Sequence, residues 1–297
     1  MSVAILVLPD FLLVALGWAL RHRLGFSREF FAGCERLTYY VLFPALLIVS
    51  ILRTPISLGS AALILQATAL LMLGGVALSW LARIFVRSQP LDMASAAQCG
   101  FRFNTYIGLA LSASLAGASG QTVMALIIGF AVPMANLAAV YGLARSSGGN
   151  VLGELIKNPL VLSTLGALLA NLAGLRLPEP IDVVMTRLGA ASLALGIICV
   201  GAALSWEGGK SHGRLLTWMI VVKLFAVPAL ALGVATMLHM PAIQRDMLVL
   251  FGALPCASAA YVLAMRMGGN GRMVAVLISL GTLMSAITIP MWLALAR

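Results

Sequence analysis

Apolar residues in this chain neither alternate with polar ones nor gather along one helical stripe. They come in continuous runs of about the length that crosses a bilayer. The runs predict ten membrane-spanning helices: Val3–Leu20, Cys34–Leu52, Ala61–Leu81, Ala96–Leu115, Thr122–Leu143, Pro159–Leu175, Leu188–Leu204, Leu215–Leu238, Met247–Met265 and Met273–Leu295. A membrane β-barrel would need polar and apolar residues in alternation, which is absent. The expected fold class is therefore an all-α integral membrane protein. No stretch between the runs is long or polar enough to hold a soluble domain, and the most linker-like segment, Ser146–Asn150, lies near the midpoint.

Composition agrees and removes several functions. Of 297 residues, 62% are hydrophobic and 9% are charged, against roughly 25% charged in a soluble domain. The net charge of +10 does not mark a nucleic-acid binder, because the bases stand singly between apolar runs. They read instead as topology signals. Thirteen bases lie around the odd-to-even loops (Arg21, Arg23, Arg28, Arg36, Arg83, Arg87, Arg102, Arg145, Lys157, Lys210, Arg214, Arg266 and Arg272). Five lie on the opposite side: Arg53, Arg176, Arg187, Arg245 and Arg297. That asymmetry puts the odd-to-even loops in the cytoplasm and both termini outside, in a multi-pass inner-membrane protein. The first run has its bases after it, not before, so it is expected to stay as a span. Cys34, Cys99, Cys199 and Cys256 have no CxxC spacing and read as buried small hydrophobes. No metal, cofactor or nucleic-acid partner is expected.

The midpoint also marks a repeat. Val14-Ala15-Leu16-Gly17 and Leu24-Gly25 resemble Ser163-Thr164-Leu165-Gly166 and Ala173-Gly174 at one shared offset of about half the chain. Five spans in each half, residues 1–148 and 149–297, make the second copy enter from the opposite side. Such inverted repeats typify secondary transporters, whose substrate sites lie at the bilayer midplane where spans are broken.

Spans 4 and 9 carry the matching interruptions. Span 4 holds Asn104, Thr105 and Gly108; span 9 holds Gly252, Pro255, Cys256, Ser258 and Tyr261. Pro255 removes a helix hydrogen bond, and Gly252 loosens the chain before it. Each half-helix after a break begins with free N–H groups and a positive dipole end, which suits an anion such as a carboxylate. The Asn104 amide adds a donor. Asn136, after Pro133 in span 5, reads equally as helix packing or as the rim of the site. Lys223 reads as snorkelling or bonding a carbonyl, Asn171 as helix–helix glue, and Gln66 as paired within the bundle. The nine acids, Asp10, Glu29, Glu35, Asp92, Glu154, Glu179, Asp182, Glu207 and Asp246, all map to loops or span ends. A carboxylate-coupled cation symporter, an alternative of bile-acid-transporter-like fold, is thereby disfavoured.

At this point the residues resemble a known family. Gly252-Ala-Leu-Pro255 through Tyr261-Val-Leu-Ala264, Ser285-Ala-Ile-Thr288-Ile-Pro290, and Val222-Lys223 to Pro228 look like the closing half of auxin efflux carrier family transporters. Lys157-Asn158-Pro159, Leu42-Phe43-Pro44 and Asn104 to Leu111 are similar as well. The resemblance covers essentially the whole chain. It implies ten helices in a 5+5 inverted repeat with broken helices 4 and 9 crossing, and an organic anion as substrate. It further implies spans 1, 2, 6 and 7 as scaffold, with spans 3–5 and 8–10 carrying the site. A homodimer stays open. Many members resemble Gly-Leu-Pro-Leu where this chain has Gly108-Leu109-Ala110-Leu111, so the break in span 4 is expected to rest on Asn104 and Gly108.

A different class, an intramembrane serine protease, rests on Gly117-Ala118-Ser119-Gly120. It needs a histidine base within reach of Ser119. His22 and His212 fall on the opposite side and His239 beside a loop, so a small-residue turn is expected there. Walker-type and HExxH motifs are absent.

Overall fold

The computed structural model describes residues 3–53, 58–144, 159–204, 213–257 and 259–296. Every regular element among them is helical: α1 (Val3–His22), α2 (Arg28–Leu37), α3 (Phe43–Arg53), α4 (Leu58–Trp80), α5 (Ala82–Phe85), α6 (Pro90–Phe101), α7 (Thr105–Ala144), α8 (Pro159–Leu172), α9 (Glu179–Ala202), α10 (Gly213–Val221), α11 (Val227–Met237), α12 (Ala242–Ala253), α13 (Ala259–Arg266) and α14 (Gly271–Ala296). A π-helical turn, Thr38–Leu42, joins α2 to α3, and a second, Val222–Ala226, joins α10 to α11.

Six helical runs among the described residues are long and apolar enough to cross a membrane: Arg28–Arg53, Ala61–Phe85, Pro90–Leu143, Glu179–Ala202, Gly213–Met237 and Gly271–Ala296. Large side chains such as Leu73, Met237 and Ile287 point outward, as lipid-facing residues do. The chain is a multi-pass membrane protein. The run from Pro90 to Leu143 has 54 residues, far beyond the roughly 20 that one crossing needs. It is not one rod. The helix is interrupted at residues 102–104, and Ala116 and Gly117 leave helical geometry, dividing α7 into two arms.

Packing sorts the helices into two groups. In one, α1 lies along α9, and α3 along α8 and α9. In the other, α4 packs on α6, α7 and α11, while α12 packs on α7, α11 and α14. The first group is joined by small residues. A Cβ added at Gly17 would run into the Ile198 backbone, and one at Gly201 into the Val14 carbonyl. Glycine at both places lets α1 and α9 touch main chain to main chain, which holds helices together where lipid removes the hydrophobic drive. Polar ties supplement it. Asn171 Nδ2 donates to Ile51 O at 2.7 Å, linking α8 to the end of α3 as expected. Arg53 pairs with Asp182 and donates to Thr186 Oγ1 at 2.8 Å, linking α3 to α9. Gln66, by contrast, is exposed on α4 and does not enter the bundle interior.

Four glycines among the described residues have positive φ, and they form two pairs. Gly25 (φ 74) follows α1 and Gly174 (φ 70) follows α8. Gly117 (φ 57) divides α7, and Gly268 (φ 72) lies between α13 and α14. Glycine enters this left-handed region without the Cβ penalty, so each position suits a sharp reversal.

Candidate functional site

Two helix interruptions face each other inside the second group. In the first, α6 ends at Phe101 and Arg102 turns extended (ψ 154). A new helix starts at Thr105 because Asn104 caps it: its Oδ1 accepts the N–H groups of Tyr106 at 3.1 Å and Ile107 at 3.2 Å. In the second, α12 ends at Ala253, and Leu254 takes the extended form (φ −59, ψ 139) that a following proline imposes. The break in span 4 thus needs no proline. Ala110 lies in regular helix, six residues beyond the cap that restarts the chain.

The interruptions are bonded to one another. The Asn104 N–H donates to the Pro255 carbonyl at 2.8 Å. Phe103 packs against Phe251 with ring centroids 4.5 Å apart and the ring planes tilted by 57°. Gln98 of α6 donates from Nε2 to Ala260 O of α13 at 3.2 Å, and the thiols of Cys99 and Cys256 are in contact. Non-helical backbone at this depth persists only where such partners or a cavity receive its polar groups. Here both are present.

The cavity has a volume of about 80 Å³ and opens between the two breaks, the second arm of α7 and the π-helical turn after α2. Its polar lining is Arg102, Thr105, Asn136 and Tyr39. Its apolar walls include Phe103, Val132 and Ala257. Arg102 Nη2 donates to Asn136 Oδ1 at 2.9 Å, and Arg102 is only 7% exposed. This corrects the sequence reading, which placed Arg102 with the loop bases. It belongs to the interruption. The missed signal is its position: Arg102 lies inside the apolar run Ala96–Leu115 and two residues before Asn104.

Lys223 is a second buried cation among the described residues. It sits in the π-helical turn Val222–Ala226 and donates from Nζ to Gly252 O at 3.2 Å. The ammonium therefore meets the C-terminal end of α12, where carbonyls lack helix partners and the dipole is negative. A π-helical turn displaces one residue from the regular ladder and recurs at functional sites. The Leu224 carbonyl, whose helical partner position four residues on is Pro228 without an N–H, accepts from Trp292 Nε1 at 2.8 Å.

The residues expected at the site fall into three places. Thr105 and Asn136 line the cavity. Asn104, Gly108 and Pro255 build its frame. Gly108 is helical, with its N–H on Asn104 O at 3.0 Å, and a Cβ there would lie 2.7 Å from Leu254 Cδ1. Its contribution is close packing between the breaks, not a kink. Cys256 is buried against Cys99, and Tyr261 packs beside Gly271. Neither is on the cavity lining among the described residues. Ser258 lies outside the described residues. The expected free N–H groups after the first break are also not free, since Asn104 Oδ1 takes those of Tyr106 and Ile107. Ser119 is exposed just beyond Gly117, and no hydrogen bond described ties it to a histidine.

The chain is similar to known proteins. Residues 142–293, just over half of the chain, match the family described as membrane transport protein. The chain is also 24% identical, over 304 aligned positions, to the protein named Uncharacterized transporter YfdV of Escherichia coli K12. The alignment covers 98% of this chain and 96% of that relative. The proteins of the same name in Escherichia coli O157:H7 and Shigella flexneri match equally.

Proposed function

The chain belongs to the membrane transport protein family, the auxin efflux carrier group, and on that premise we propose that it is a secondary carrier moving a small organic anion by alternating access. The family supports a transporter rather than an enzyme. The observation that carries it is the hydrogen bond from Asn104 N to the Pro255 carbonyl, which joins two interrupted helices beside a polar cavity. Paired interruptions of this kind are where secondary transporters bind their substrates.

In this reading the chain crosses the inner membrane ten times, as two inverted halves, 1–148 and 149–297, with both termini outside. The paired glycines support the repeat: Gly25 matches Gly174 after the first helix of each half, and Gly117 matches Gly268 after each interrupted one. Helices α1, α3, α8 and α9 form the scaffold. The helices around the two breaks move against it and expose the cavity to one side and then the other. A small-residue seam such as Gly17–Gly201 keeps the scaffold rigid during that movement.

Uptake of labelled organic acids into vesicles containing the purified protein tests the reading. Wild type is expected to take up at least one small organic acid. Asn104→Ala, which removes the cap and a polar group beside the cavity, is expected to slow that uptake roughly tenfold or more, the equivalent of about 1.5–3 kcal/mol. Unchanged uptake by Asn104→Ala would move the site away from the breaks.

A further inference from the structure

We propose that the outer face of α2 and of the π-helical turn after it is a binding site for an anionic phospholipid, with Arg36 on the lipid phosphate. The site lies apart from the helix breaks and does not depend on the carrier reading.

The first argument is shape. Gly33, Arg36, Leu37, Tyr40 and Val41 line an open hollow of about 360 Å³. Their spacing puts all five on one side of the helix, and all five are exposed. Phe31 points elsewhere and is buried against Cys199 and Ala202 of α9. Gly33 leaves open space where a side chain would stand, since nothing lies within 4 Å of a Cβ there. The hollow holds on the order of twenty water-sized groups, at roughly 15 Å³ for each. That suits a phospholipid headgroup and the start of its chains, and is far more than an inorganic anion fills.

The second argument is charge. Between residues 21 and 37 four arginines, Arg21, Arg23, Arg28 and Arg36, stand against two glutamates, Glu29 and Glu35. Both acids are engaged away from the hollow. Glu29 interacts with Arg21 and Arg28, and Glu35 is half-buried near Cys199 and Tyr106 on the bundle side. Arg36 is the one charged side chain on the lining. Among the described residues it pairs with no acid. The oxygens of a phosphate diester match the planar fork of its guanidinium.

The third argument is depth. Residues 37–52 are sixteen mostly apolar residues between two arginines. As helix they extend about 24 Å, at roughly 1.5 Å per residue. That is slightly less than the roughly 30 Å of the hydrocarbon core, and arginine side chains reach outward to make up the difference. Arg36 and Arg53 therefore stand at opposite membrane surfaces. The protein itself satisfies Arg53, which pairs with Asp182 and donates to Thr186. No acid of the described residues does this for Arg36, which lies at the level of the headgroup phosphates. Deeper in the membrane, Leu37 and Val41 offer an apolar track for an acyl chain, and Tyr40 stands near the interface that tyrosine favours. Basic hollows at this level take acidic lipid headgroups.

Thermal stability of the full chain in lipid-free detergent, titrated with lipid at constant ionic strength, tests this, with native mass spectrometry counting bound lipid. The probes are dioleoylphosphatidylglycerol, dioleoylphosphatidylcholine of the same chains, glycerol phosphate and inorganic phosphate. Phosphatidylglycerol is expected to raise the unfolding temperature of wild type and to stay bound, and the other three are not. Arg36→Gln should weaken the phosphatidylglycerol effect about fivefold, the factor that one interfacial base contributes. Gly33→Leu fills the hollow without changing charge and should weaken the effect as well. Arg87→Gln, the same loss of charge at an exposed arginine outside the hollow, should leave it unchanged. Equal phosphatidylglycerol binding by wild type, Arg36→Gln and Gly33→Leu would overturn the site. Equal stabilisation by phosphatidylcholine would overturn its charge selectivity. An equal effect of glycerol phosphate or inorganic phosphate would replace the lipid by a soluble anion and overturn the proposal. A lipid-free dimer that Gly33→Leu dissociates would make the hollow a contact between copies and overturn it too.

Discussion

Gly201→Val is expected to leave little folded protein. A Cβ at this position would overlap the Val14 carbonyl and lie 2.9 Å from the Trp18 backbone nitrogen. Neither neighbour is a flexible side chain, so α1 and α9 must separate. Separation also opens the reciprocal contact of Gly17 with the Ile198 backbone. Between membrane helices there is no hydrophobic gain to offset the lost packing, since lipid is as apolar as the side chains it replaces. Overpacking usually costs about 1–3 kcal/mol, and with main chain on both sides the loss here should be about 3 kcal/mol or more. The checks are the yield of monodisperse protein and the unfolding temperature in detergent. Gly33→Val is the control, because nothing lies within 4 Å of a Cβ there. Equal stability of Gly201→Val and wild type would mean that the α1–α9 seam is not closely packed.

Asn104→Asp should separate folding from transport more sharply than any other single change. The carboxylate keeps an Oδ oxygen for the N–H groups of Tyr106 and Ile107. A negative cap also suits the positive end of a helix. Stability should therefore stay close to wild type. Transport of an anion should not. A fixed negative charge about 5 Å from a bound carboxylate repels it by about 3 kcal/mol at an effective dielectric constant near 20, a loss on the order of 100-fold in affinity. The measurement is uptake of labelled acid alongside the unfolding temperature. A folded Asn104→Asp protein with wild-type uptake would remove the anion from the neighbourhood of the breaks.

The membrane class and the positions of the breaks were legible because they depend on local chemistry. Uninterrupted apolar runs leave lipid as the one solvent that fits them, and Pro255 dictates an extended Leu254 wherever it stands. The first break was legible through Asn104 but was misassigned in detail. A missing proline at Ala110 drew attention to Gly108, whereas the helix restarts because an asparagine caps it. Arg102 was lost to a charge count, since the positive-inside pattern treats every base near a run's end as a loop residue. That guanidinium is buried and bonds Asn136, thirty-four positions away, and no local pattern encodes such a pairing. Tyr261 and Cys256 share a span with the second break, yet the turn of the chain after Pro255 directs them to Gly271 and Cys99. The meaning of Gly25 and Gly174 emerged only with their φ angles, which distinguish a required left-handed glycine from an ordinary one.

Counterflow tests the carrier itself most directly. Purified protein in liposomes loaded with unlabelled propionate is exposed to a trace of labelled propionate outside. A carrier that alternates returns loaded faster than empty, so labelled acid should accumulate transiently above its outside concentration, and only in preloaded vesicles. Uptake that is indifferent to preloading, or an absence of uptake for every small organic acid tried, would contradict the account.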